Sequence, residues 1–272
     1  VVLNRQHLER ELQEVTQQLS CPEQLSGLSL NLFETLPSTN QTLWELLDQG
    51  ATIPTVIIAE QQTAGRGQWG RKWQSDKGGL YLSLALTANL PASNSTQLTL
   101  CSAWGIAKAL KSYGIPVLLK WLNDLLLEGR KLGGILTETR VQQGEITKAV
   151  IGVGINWSNS VPESGINLQS FFEEHPSISA ITSLEMLAAI IIQGLLFGYQ
   201  CWSEEGTETL LSSYQELLHS RGRRVIVDGT PGTVIGITPT GELRVGLNTQ
   251  VPASSGLTEI HLKPGTISLD YF

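Results

Sequence analysis

The stretch VLLKWLNDLLLEGRKLGGILTETRVQQGEITKAVIGVGI, residues 117–155, decides the fold class. Residues 117–121, 125–128, 131–139 and 146–155 each carry the apolar character of a strand, and Gly129-Arg130 supplies a hairpin turn between the second and third. A doubly wound parallel sheet alternates strand and helix, and these four runs have no helical period between them. They fit an α+β layer built on a mixed or antiparallel sheet.

Outward from that block, Leu8, Leu12, Val15 and Leu19 recur at helical spacing and predict an amphipathic first helix. Leu28, Leu30 and Leu32 alternate as in a half-buried strand. Ser38-Thr39-Asn40-Gln41 has the S-x-x-Q form of a capping box, and Leu43, Leu46 and Leu47 carry a helix to Gly50. Residues 55–60 (TVIIAE) predict a buried strand, 61–79 a loop rich in Gly and Arg, and 80–86 (LYLSLAL) another strand. Residues 97–113 read as a helix stopped by Gly114 and Pro116. Residues 183–202 and 204–219 predict two helices in almost direct succession. Beyond Ser220, short strands at 225–227, 232–237, 242–245 and 257–262 predict a small appended β-barrel. The expected organisation is a helix and lead-in at 1–27, a main domain at 28–219 and a β-rich domain at 220–272.

A chain of 272 residues with 41% hydrophobic and 16% charged residues can bury a full core and is not of disordered composition. Its net charge of −7 argues against general nucleic-acid binding and makes any cationic cluster more informative. Cys21, Cys101 and Cys201 show no metal-ligand spacing and are expected to be buried free thiols of a reducing, cytoplasmic compartment. Residues 1–20 are too polar for a secretory signal, and the apolar run 186–197 is broken by Gln193 and short for a bilayer, so no membrane role is expected.

Gly65-Arg66-Gly67-Gln68-Trp69-Gly70-Arg71-Lys72 is the most distinctive segment. Glycine permits close backbone approach, and Arg brings forked donors for carboxylate or phosphate. The three glycines match G-x-G-x-x-G after a strand, but residues 73–79 continue as loop instead of opening a helix. No acidic residue lies between Asp76 and Asp124 to bind a ribose, so a dinucleotide fold is not expected. A phosphate-binding Walker loop would need Lys directly after Gly70, where Arg71 stands. An exposed basic loop without function is the alternative that this segment alone leaves open.

Lys120-Trp121-Leu122-Asn123-Asp124 sets a lysine at a strand end among apolar neighbours, where an unpaired ammonium would be costly and a bound anion would offset the cost. Lys131-Leu132-Gly133-Gly134-Ile135-Leu136 and Gly152-Val153-Gly154-Ile155-Asn156 place glycines inside strands, which implies close backbone approach or a bulge. Together these clusters suggest a nucleotide pocket. His7, His175, His219 and His261 lie far from them in sequence, so hydrolase chemistry has little support.

In this order, Ser38-Thr39-Asn40, the 60–71 segment with its G-R-G core, Lys120-Trp121-x-Asn123-Asp124, Lys131-Leu132-x-Gly134-Ile135-Leu136 and Gly152-x-Gly154-Ile155-Asn156 resemble the biotin–protein ligase family. The resemblance implies a fold like class II aminoacyl-tRNA synthetases and biotin and lipoate ligases: a mixed sheet with helices, plus an SH3-like C-terminal barrel. It implies that biotin is joined to ATP as biotinyl-5′-AMP, with Mg²⁺, and passed to a lysine of a biotin carboxyl carrier protein of acetyl-CoA carboxylase.

By the same resemblance, Ser38, Thr39, Asn40 and Gln62 would hold the ureido end of biotin. Gly65, Arg66, Gly67 and Gln68 would close over it, and Leu125, Gly152 and Ile155 would line its site. Arg71, Trp73, Lys120 and Asn156 would meet ATP, with Asn156 on the nucleotide or its metal. Lys120 would also bind biotin, lying between its carboxylate and the α-phosphate, and Lys120, Arg66 and Arg71 would carry the catalytic charge. The metal ligands are not defined, and Asp124 is the only base suggested for the transfer step. Gln68 stands where the family usually has a second Arg, and Leu122 where it usually has Pro. A lipoate or octanoate ligase, a biotin-sensing repressor and an SH3-like peptide binder are the competing expectations. About two dozen residues before the first strand are too few for a winged helix, so DNA binding is not expected. The resemblance leaves room for a homodimer.

Overall fold

The computed structural model describes residues 3–17, 27–178, 181–247 and 258–265. Its centre is a seven-stranded sheet in the order β1-β2-β3-β7-β6-β5-β4. The strands are β1 (Ser29–Leu36), β2 (Thr55–Gln62), β3 (Leu80–Pro91), β4 (Leu118–Lys120), β5 (Asp124–Leu127), β6 (Arg130–Gln142) and β7 (Glu145–Ile155). Only β1 and β2 pair in parallel, since the α2 helix (Thr39–Asp48) crosses between them. The remaining pairs are antiparallel, as the helix-free block at 117–155 requires.

The apolar run of β2 is explained by burial on both faces. Val56 and Ile58 join the large core under α1 (Arg5–Gln17), α3 (Ser95–Ser112) and α5 (Leu184–Leu217). Ile57 and Ala59 point to the opposite face, where Leu43 and Leu47 of α2 cover them with Ala85 and Val150. On the larger face α3 and α5 meet through glycines: a Cβ at Gly198 would collide with the Cys101 carbonyl, and one at Gly105 with the Gly194 carbonyl.

Residues 183–219 differ in part from the two expected helices. A single helical run is broken inside at Gly206, whose φ of 83° and ψ of 178° suit glycine. By length and composition this helix could cross a bilayer, with mean hydropathy 1.5 in its most apolar window, but it is the core helix here, its residues 187–192 all buried. The capping box at Ser38 does not close through its own side chain. Instead Gln62 Oε1, arriving from β2, accepts from the Thr39 N–H at 2.8 Å. A short helix, α4 (Leu168–Glu174), was not legible; the Asn167 side chain caps it by accepting from Ser170 N at 2.8 Å.

The chain after Ser220 forms a separate antiparallel sheet, β11-β10-β9-β8, from β8 (Arg224–Val227), β9 (Thr230–Ile237), β10 (Leu243–Leu247) and β11 (Thr258–Leu262). Among the described residues no pairing closes β8 onto β11, so an open sheet stands where a barrel was expected. The Arg244 guanidinium of β10, seconded by His261, holds the carboxyl of Glu259 on β11 down at about 2. The sheet docks on the main domain through Trp121 Nε1 donating to Gly241 O (2.8 Å) and Gln97 Nε2 donating to Pro239 O (2.7 Å).

Cys101 is buried as expected, Cys201 is only half-buried, and Cys21 lies outside the described residues. Burial pushes the Cys101 thiol up to about 12. The reactive thiolate is therefore scarce at pH 8. Peptide mapping after iodoacetamide treatment of the native protein at pH 8 is expected to find Cys201 alkylated well before Cys101.

Candidate active site

Residues 65–73 fold as a small hairpin. Trp73 N donates to Gly65 O (3.0 Å), Gly67 N to Arg71 O (2.7 Å) and Arg71 N to Gln68 O (3.1 Å). The last bond closes a two-residue turn in which Trp69 (φ 59°) and Gly70 (φ 72°) are both left-handed, the signature of a primed hairpin turn. A tryptophan rarely takes that conformation. Its exposed ring lies over Gly265, where a Cβ would stand 2.6 Å from the indole.

Under this hairpin runs a cleft of about 230 Å³ floored by β6 and β7. Alternate residues of a strand share a face. On β7, a Cβ at Gly152 would collide with Asn40 Oδ1, and one at Gly154 would come within 2.5 Å of Trp73 Nε1. The strand glycines thus make room for two cleft side chains. On β6, Gly134 faces Asp124 and Trp73, the Leu136 carbonyl accepts from Asn40 Nδ2 (3.2 Å), and Glu138 lies beyond it. Asn40 over Gly152 and Trp73 over Gly154 stand two strand residues apart, roughly 7 Å, with Glu138 a further two residues along β6.

One end is wired for neutral polar recognition. Thr39 N and Oγ1 both donate to Gln62 Oε1 (2.8 and 3.2 Å), and Gln62 Nε2 donates to Ser75 Oγ (2.8 Å). Ser83 Oγ donates to Asn40 Oδ1 (2.6 Å), which fixes the amide. The other end is cationic. Lys131 Nζ pairs with Asp124 Oδ1 at 2.7 Å and sits 5.2 Å from the centre of the Trp73 ring. Lys120 lines the same wall and an adjoining cavity with His219 and Arg223. Burial first, then Arg223 and Lys120, lowers the pKa of His219, as a positively charged corner requires. The lining holds Arg66, Arg71, Lys72, Lys120 and Lys131 against a single carboxylate, Asp124. In a chain of net charge −7, that imbalance selects anionic ligands.

The structure brings together Ser38, Thr39, Asn40, Gln62, Arg66, Gly67, Gln68, Arg71, Trp73, Lys120 and Gly152. It does not bring Gly65, Leu125, Ile155 or Asn156 to the lining. Gly65 packs against Ser75 and the Trp73 carbonyl, and Leu125 and Ile155 are core residues. Asn156 departs from its expected place: Nδ2 donates to the Lys131 and Ile166 carbonyls (3.3 and 3.2 Å), and Oδ1 accepts from Asn159 Nδ2 (3.1 Å). It braces the backbone of Lys131 from behind the wall. Arg66 lies at the Asn40 end, paired with Glu138 at 3.0 Å, and not beside Lys131. The Trp121–Leu122 peptide is cis. Lys131, Trp69 and the 264–265 turn are lining residues that the sequence reading missed. Only Lys131 carried a signal, a lysine opening a glycine-bearing strand.

Residues 32–156 match the biotin/lipoate A/B protein ligase family. This segment is a domain of that family. The ligase domain contains every polar group at both ends of the cleft. The chain is 37% identical over 135 residues to the bifunctional ligase/repressor BirA of Bacillus subtilis, covering 49% of this chain and 42% of that protein. It is 35% identical over 133 residues to the biotin–[acetyl-CoA-carboxylase] ligase of Mycobacterium tuberculosis, 46% of this chain and 48% of the other. The aligned region thus spans less than half the length of either relative. The structure of the Aquifex aeolicus biotin protein ligase in complex with biotin and ATP superposes with a TM-score of 0.70 at 24% identity, over 90% of this chain and 99% of that one. The ligase domain and its appended sheet therefore have the biotin protein ligase fold.

Proposed function

We propose that this chain is an ATP-dependent biotin–protein ligase, forming biotinyl-5′-AMP and transferring biotin to a lysine of a biotin carboxyl carrier protein of acetyl-CoA carboxylase. The observation that carries this is the polarity of the cleft: a urea-like set of donors and acceptors at one end, and Arg71, Lys72, Lys120 and Lys131 along the rest. Thr39, Asn40 and Gln62 suit a ureido group, whose recognition needs fixed partners. The other end suits a carboxylate meeting a triphosphate.

In the first step a biotin carboxylate oxygen bonds to the α-phosphorus, the bond to the β-phosphate oxygen breaks, and pyrophosphate leaves. Two anions must be brought together, so neutralisation and alignment are the enzyme's main contribution. Lys131, held by Asp124 and the Trp73 ring, is the group best placed for it, joined by Lys120 and Arg71. In the second step the acceptor amine attacks the anhydride carbonyl, AMP leaves, and the amine gives up a proton.

With Asp124 as the sole lining carboxylate among the described residues, already paired with Lys131, the donor set fits a Mg²⁺ carried by the triphosphate rather than a protein cage. Such an ion would offset phosphate charge, and no step here depends on a protein ligand to it. We further propose domain limits of 28–219 and 220–272, SH3-like closure of the C-terminal sheet and a cytoplasmic location. A homodimer is compatible with this function, and repressor activity forms no part of the proposal.

The test is to incubate the chain with biotin, ATP, Mg²⁺ and a purified carrier domain. The carrier is expected to gain the mass of one biotin. Transfer of lipoate but not biotin would overturn the substrate assignment, since both ligands suit this scaffold.

A further inference from the structure

Glu138 belongs to no motif, yet its Oε2 accepts two hydrogen bonds at once: from Asn40 Nδ2 at 2.8 Å and from Arg66 at 3.0 Å. Asn40 lies in the first turn of α2, Arg66 on the 65–73 hairpin, and Glu138 on the floor strand β6. One carboxylate therefore ties the hairpin and the polar end of the cleft to the sheet.

The hairpin's two limbs are anchored differently. The Trp73 limb is held by neutral bonds, through Gln62 Nε2 to Ser75 Oγ and Ser75 Oγ to the Trp73 carbonyl (3.2 Å). On the Arg66 limb the bond to Glu138 is a charged contact, with both side chains partly exposed. With Ser83 donating to Oδ1 and both Nδ2 hydrogens taken by Leu136 O and Glu138, the Asn40 amide can stand in only one sense. Without Glu138, one Nδ2 hydrogen and the Arg66 guanidinium would both lose their acceptor.

We propose that Glu138 is a positioning residue that latches the hairpin across the cleft and fixes the Asn40 amide, so that it governs how long the adenylate is retained. This rests on the cleft being the biotin and adenylate site. Glu138 touches no reacting atom, and its effect passes through Arg66 and Asn40.

The test is a chase experiment. Enzyme loaded with labelled biotin and ATP-Mg²⁺ is mixed with excess unlabelled biotin, and loss of bound biotinyl-AMP is followed in wild type, Glu138→Ala and Glu138→Gln. The Ala variant is expected to release the adenylate roughly 5- to 20-fold faster, as loss of one charged and one charge-assisted bond implies. Its KM for biotin is expected to rise with the release rate, while single-turnover transfer from adenylate already bound falls no more than about two-fold. The Gln variant keeps an acceptor for Asn40 and is expected to fall between the two; it also carries the measurement if the Ala variant does not fold. Release within two-fold of wild type in both variants would overturn the latch, as would equal losses in KM and transfer. If wild type itself retained no biotinyl-AMP, the adenylate-site proposal would fail first.

Discussion

Lys131→Ala is expected to slow formation of biotinyl-5′-AMP by roughly 10²–10³-fold, the usual cost of removing one preorganised charge from a developing transition state. Three features hold this ammonium: Asp124 at 2.7 Å, the Trp73 ring beneath it, and a backbone braced by the Asn156 amide. The substitution also leaves the Asp124 carboxylate unpaired beside the phosphates, which adds repulsion to the loss. Lys131→Arg is expected to rescue poorly, because a planar fork cannot reproduce a point charge seated over an indole and aimed at one carboxylate oxygen. Biotin binding without ATP is expected to weaken far less than adenylate formation slows, since the ureido partners Thr39, Asn40 and Gln62 are held by bonds that do not involve Lys131. Rapid-quench measurement of adenylate in a single turnover checks this; a decrease under five-fold would remove Lys131 from the proposed role.

The largest effect on stability is expected from Gly198→Val. Helices α3 and α5 cross so closely that a Cβ at position 198 meets the Cys101 carbonyl, which is backbone and cannot rotate away. The helices would have to separate over residues 187–192, all fully buried in the core. Overpacking of this kind costs about 3 kcal/mol or more. For a domain of this size that corresponds to a fall in Tm of roughly 6–12 °C. Thermal unfolding followed by circular dichroism is the measurement, and a Tm within 2 °C of wild type would show that the helix contact tolerates a side chain.

Much of the sheet was legible because burial writes itself into period and composition. Residues 56–59 of β2 form an unbroken apolar run since both faces are covered there, and the 117–155 block announced antiparallel pairing by lacking helices. Gly152 and Gly154 were legible as points of close approach, though what approaches is Asn40 and Trp73. What escaped depends on distant pairing. Lys131 meets Asp124 only because β5 and β6 pair with a bulge after Leu125, which brings Asp124 opposite Gly134. The Ser38 box does not form, and the first-turn Thr39 N–H is met instead by Gln62, twenty-three residues on, which no local pattern announces. A polar residue after a glycine strand, such as Asn156, suits a ligand and a backbone brace equally well; here its amide bonds the Ile166 carbonyl and Asn159. Nothing local could have put the turn at 264–265 over the cleft or Trp69 against it.

Biotin-dependent exchange of labelled pyrophosphate into ATP tests most directly whether the cationic end joins a carboxylate to the α-phosphate. Exchange is expected with wild type and biotin, to require biotin, and to fall with Lys131→Ala in step with adenylate formation. Wild-type enzyme that binds biotin and ATP yet gives no exchange, or exchange that proceeds without any biotin, would contradict the account.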